Sequence, residues 1–156
     1  MKLINSVPEK KQPLAIAKFS KLLGSELVLS NYTGKCQEKA TADGCKEMAL
    51  VFTGQHEELM AINNAIAGFA ISETENSNHS MEEFVSGAEL LEKEISFYIL
   101  TNMAEALKKA HNSIIGIIEK EILPFVVAKK DNDVNTTMRL LLLRHHNMIT
   151  ALEKFL

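Results

Sequence analysis

The 156 residues contain no tryptophan, and only three prolines and seven glycines interrupt the backbone. So few breakers favour long continuous elements over many short strands. Two cysteines, Cys36 and Cys45, are too few for a disulfide scaffold, and as free thiols they read as small hydrophobes. No apolar run is long enough to cross a bilayer, and Met1 to Lys11 lacks the continuous apolar stretch of a secretory signal. The expectation is a cytoplasmic protein without a membrane partner. An excess of positive charge is missing too: the formal charge is −3, and Lys and Arg are scattered rather than clustered. That pattern argues against nucleic acid, whose phosphates need clustered cations. There is no glycine loop to cradle a phosphate. No Ser, Cys or Lys has a recognisable base and orienting group at a fixed spacing, so nucleophilic catalysis has no support.

What is present is a globular balance of 46% hydrophobic and 24% charged residues. One domain over 13–156 is expected, preceded by a tail at 1–12. From Pro13, Phe19, Leu22, Leu23, Leu29, Tyr32 and Cys36 recur at three- and four-residue steps, which predicts helix A over about 13–40. Thr41-Ala42-Asp43-Gly44 signals a turn. Beyond it Met48, Val51, Phe52, Leu59, Ile62, Ile66 and Phe69 predict helix B over about 45–72. A polar loop ends in Ser80-x-x-Glu83, a capping-box pattern. Phe84, Ala88, Leu91, Ile95, Tyr98, Ile99, Met103 and Ala106 then define helix C over about 81–111. Ile114 to Val127 reads as a short extra helix containing Pro124. Val134, Met138, Leu141, Met148, Ile149, Leu152 and Phe155 mark helix D over about 134–156. Short links between rods of similar length predict an all-α, antiparallel, up-down four-helix bundle.

Polar residues break these stripes near their midpoints. Glu26 follows Leu22 by four and precedes Leu29 by three. Gln55 is centred on the face of helix B, with Glu58 at its edge. Glu92 and Asn102 fall on helix C, and His145 sits between Leu141 and Ile149 on helix D. Such groups cost a few kcal/mol each to bury unless they bond one another, water or a metal. Two readings follow: a metal site of Glu26, Glu58, Glu92 and His145, or a hydrogen-bonded polar layer that fixes helix register. Gln55, Asn102 and the hydroxyls of Tyr32 and Tyr98 would complete the layer. A weaker third reading is a ligand pocket lined by Phe19, Phe52, Phe69 and Tyr98.

Midpoint carboxylates on helices A and C, with Glu-x-x-His pairs on B and D, form the di-iron pattern of the ferritin-like superfamily. Here Gln55-x-x-Glu58 and Leu142-x-x-His145 occupy the places of the two pairs. The stretch from Tyr32 through Phe52 to Leu59, with Arg144-His145-His146-Asn147, is similar to an uncharacterised bacterial family of ferritin-like bundles. The resemblance implies a four-helix fold and iron, manganese or zinc as possible cargo. Gln55 and Leu142 standing for Glu, and Glu58 for His, favour the polar layer over the metal.

Leu140 and Leu143 fall outside the Leu141, His145, Ile149 face and give helix D a second apolar side. That side needs a cover: the 114–127 segment, or another copy of the chain. The leading expectation is a non-catalytic bundle acting through self-association, a homodimer above all, or through a protein partner. The alternative is a metal-carboxylate protein with a redox or storage role.

Overall fold

The computed structural model describes Lys10 and residues 12–74, 102–126 and 133–156. Among these residues the chain is helical, with four helices and no strand: α1 (Gln12–Ala42), α2 (Lys46–Thr74), α3 (Met103–Ile117) and α4 (Asp133–Glu153). α3 runs on into a π turn, Ile118–Ile122. No helix among the described residues is long and apolar enough to cross a membrane.

The link between α1 and α2 follows from local chemistry. Gly44 takes φ +75°, a left-handed conformation that costs glycine little because it has no Cβ. The amide of Cys45 then donates to the carbonyl of Ala40 at 2.9 Å, and that of Gly44 to Thr41 at 3.1 Å. These two bonds satisfy the last carbonyls of α1 in a Schellman arrangement. The chain reverses there, which brings the His56 ring against Gly34. A Cβ on Gly34 would stand 3.2 Å from His56 Cε1, so the close approach of α1 and α2 depends on the missing side chain. The sequence reading of both helices and of the turn thus agrees with the structure to within two residues.

Helix α3 departs from that reading. Asn102 is extended, at φ −153° and ψ 95°, and its side chain accepts the Glu105 amide. It is an N-cap, so a helix continuous over 81–111 does not exist, and Asn102 belongs to no polar layer. A short side chain that can accept from the third amide beyond it starts a helix more readily than it sits inside one. At the other end the helix does not stop at residue 111. It continues until Leu123 donates to Ile118 across the π turn, just before Pro124, which has no N–H to give. The expected extra helix is the continuation of α3. Glu92 and Tyr98 lie outside the described residues.

The core is built from four apolar seams. Along α1 one row of buried positions runs 15, 19, 22, 26, 29, 33, 36 and 40, alternating steps of four and three. Along α2 the row is 52, 55, 59, 62 and 66, and along α4 it is 134, 138, 141, 145, 148 and 152. A 3.5-residue repeat keeps one narrow stripe facing its neighbours. On α3 the seam runs 104, 107, 111, 114 and 118. α1 packs chiefly on α2 and α3 on α4, with α1 also meeting α3. Outside the core, Lys21 reaches Glu121 of the π turn at 2.9 Å. That bond, more than the nearby Lys18, holds the Glu121 carboxyl below the usual carboxylate range.

The two cysteines differ. Cys36 lies on the α1 seam, fully buried, and burial pushes its thiol up to about 12. Cys45 does not behave as a small hydrophobe: it is exposed, and its carbonyl accepts from Ala49 at the first turn of α2. Because the thiolate is the reactive form, iodoacetamide should label native Cys45 and spare Cys36, as read by peptide mass mapping. Equal labelling of both would show that α1 does not keep Cys36 inside.

Candidate functional site

Thr33 on the α1 seam bonds back to the carbonyl of Leu29 in its own helix, and every seam carries one larger polar side chain: Glu26 on α1, Gln55 on α2, His111 on α3 and His145 on α4, all buried. Three of them form a line across the core. His145 Nε2 stands 2.6 Å from Glu26 Oε1, and His145 Nδ1 stands 2.8 Å from His111 Nδ1. The two rings are tilted by 59°, with centroids 5.1 Å apart. Gln55 joins α2 to α4 separately, donating Nε2 to the carbonyl of Met148 at 2.9 Å.

The hydrogen bonds assign the protons. Two nitrogens 2.8 Å apart need one proton between them, since two lone pairs or two N–H groups would repel. With both rings neutral and the Glu26 carboxyl ionised, one arrangement fills both contacts. His145 donates from Nε2 to the Glu26 carboxylate and accepts at Nδ1 from His111 Nδ1–H. Glu26 Oε2 and His111 Nε2 then remain bare acceptors, and neither has a hydrogen-bond partner among the described residues. Burial, and secondarily the neighbouring His145, holds His111 well below the ordinary histidine range, which agrees with a neutral ring.

Of the residues singled out in the sequence, the structure brings Glu26 and His145 together and leaves others apart. Glu58 stands at the level of the line but outside it, 4.0 Å from Arg144 on the surface. The α2 seam passes through Gln55 and Leu59, so position 58 turns to the flank. Tyr32 is half-buried at the margin of the core, with the Lys35 ammonium 4.8 Å over its ring. His146 is exposed, as its position off the stripe implied. Phe19 and Phe52 are buried in the core. A small cavity of about 110 Å³ lies elsewhere, between α2 and α4, bounded by Ile62, Ala65, Ile66, Thr137, Leu140, Leu141 and Arg144.

His111 is the residue that the sequence reading missed. Its signal was present: it follows Leu107 by four and precedes Ile114 by three, which puts it on the stripe. Ending the helix at 111 hid the second half of that pattern.

As a ligand set the line is poorly arranged. Metal ligands must turn their lone pairs to one point, whereas both ring nitrogens of His145 are engaged by protein atoms on opposite sides. Among the described residues no three His, Cys, Asp or Glu side chains are placed to hold a metal ion. No protein-family model, no curated protein and no solved structure matches the chain.

Removing one partner of a buried carboxyl–imidazole contact strands the other. Glu26→Ala or His145→Leu should therefore each cost about 3 to 5 kcal/mol, as measured by urea unfolding. The double change Glu26→Leu with His145→Leu should cost clearly less than the sum, because no carboxylate is then left unpaired. Additive costs would show that the two side chains do not act on each other.

Proposed function

We infer that the chain is an antiparallel, ferritin-like helical bundle that acts through association, with a second copy of itself as the first partner, and that runs no chemistry in its core. The pairings of Glu47 with Lys154, Gln55 with Met148 and Glu58 with Arg144 support antiparallel packing of α2 and α4, since the first number rises as the second falls. The reading of the core as a register-setting layer rests on Glu26, His145 and His111, whose bonds tie α1, α4 and α3 at one height.

The observation that carries association is on the outside of α4. Leu140 and Leu143 are 54% and 57% exposed. The 114–127 segment was one expected cover; its π turn packs toward α1, and the two leucines stay exposed. Leu140 also forms one wall of the apolar cavity with Ile62 and Ile66. Two leucines left in water forgo about 3 to 6 kcal/mol of burial, and a two-fold contact through α4 supplies the cover. This reading is preferred to a metal-carboxylate protein because His145 spends both nitrogens on protein partners and Glu58 is paired with Arg144. Stoichiometric metal in protein purified without chelator would reverse that preference.

Analytical ultracentrifugation tests the association directly. The wild type should sediment as a dimer, and Leu140→Glu with Leu143→Glu should give a folded monomer of unchanged helicity. A monomeric wild type, or a double variant that keeps the wild-type mass, would refute the role of this face.

A further inference from the structure

The line across the core joins three helices through two contacts, and each contact holds one proton. Its arrangement limits how many protons the docked helices can take. Between His145 Nδ1 and His111 Nδ1, 2.8 Å apart, a second proton does not fit. Further protons must go to the ends, Glu26 Oε2 or His111 Nε2, and neither buried end has a hydrogen-bond partner among the described residues. A proton on His111 Nε2 would create a buried donor with nothing to receive it, which is costly. The docked rings are therefore full with two protons between them.

We propose that Glu26, His145 and His111 form an acid-sensitive latch that holds α3 against α1 and α4 and gives way when both rings become doubly protonated. Once α3 separates and the rings meet water, each imidazole takes its second proton near the ordinary histidine pKa of about 6.5. The released state then carries four ring protons where the docked state carries two. Because release takes up protons, falling pH favours it; above about pH 6.5 the two states bind equal numbers and the latch holds fully. The depressed basicity of His111 has the sign this requires.

Other charged groups at these helix surfaces do not reproduce the effect. From α4, besides His145, Glu153 meets Lys108 at 3.2 Å. From α1, Lys18 and Lys21 meet Glu121. On α2, His56 turns toward Ser30 of α1, and Gln55 does not titrate. Those lysine–carboxylate pairs are partly exposed, and among the described residues His111 and His145 are the imidazoles at the junction of α3, α4 and α1. The proposal is independent of association through Leu140 and Leu143, which lie outside the core.

Hydrogen exchange of the full chain, followed by mass spectrometry with EDTA present, reads the latch segment by segment. After correction for intrinsic exchange rates, amides of 104–117 should lose at least about tenfold in protection for each pH unit below about 6.5. Those of 19–40 and 52–66 should change much less. The variant His111→Asn places a non-titrating amide near the position of Nδ1, and should lose most of that pH dependence while its helicity at neutral pH persists. Protection in α3 that does not fall with pH, or that falls equally in α1 and α2, overturns the proposal, as does a variant with the wild-type profile. Should the variant fail to fold, nitrogen NMR of the wild-type imidazoles decides. Both rings gaining a second proton in step with the loss of α3 protection supports the latch. Double protonation with α3 still protected refutes it.

Discussion

The contact between Glu26 and His145 is the interaction around which the rest of the core is arranged. A carboxylate buried to 0% exposure is tolerated only where a donor meets it, and the donor comes from a helix 119 positions away in the chain. Sliding α4 along α1 by one turn would place Leu141 or Ile149 against the carboxylate and leave it unpaired. Apolar seams alone tolerate such slips, because leucine packs against leucine at any height. The polar contact removes that freedom. The same argument extends to α3 through His111 and to α2 through the bond from Gln55 to Met148, so all four helices are held at fixed heights by polar side chains that each sit on a seam.

This explains which features the sequence displayed. Glu26, Gln55 and His145 are legible because each interrupts an apolar repeat at a position where the helix must face inward; periodicity alone decides their burial. Glu58 was harder to place, since one residue of offset on a helix turns a side chain by about 100°. Asn102 could be read as a stripe residue four after Tyr98 or as a cap three before Glu105. Periodicity cannot choose between these when the helix boundary is itself the unknown. His111 was lost to the same boundary. Matching heights grouped Glu26 with His145, but the bond from Gln55 to Met148 and the exclusion of Glu58 were hidden, because they depend on the azimuth of helices that no local pattern encodes.

The line also differs in kind from the metal site that the spacing suggested. Residues at matching heights on several helices resemble a ligand cage in one dimension, along the bundle axis. Whether they form one depends on the perpendicular plane. Here Glu26, His145 and His111 extend side by side across it, with His145 in the middle and bonded on both sides. A chain of hydrogen bonds and a coordination shell draw on the same residue types and the same spacings. They part only in whether the lone pairs diverge onto neighbours or converge on a point.

The outer face of α4 follows from the seam as well. A narrow 3.5-residue stripe uses two positions in seven, and α4 places Met138, Leu141, His145 and Met148 on it. Leu140 and Leu143 lie off that stripe, so no choice of core packing that keeps His145 on Glu26 can bury them in the same interface. Rotating α4 to cover the leucines would swing His145 away from the carboxylate and exchange an exposed apolar surface for an unpaired buried charge. The second is the more costly. The polar line therefore fixes which side of α4 remains available to a partner, and the exposure of the two leucines is a consequence of the buried contact rather than a separate feature of the surface.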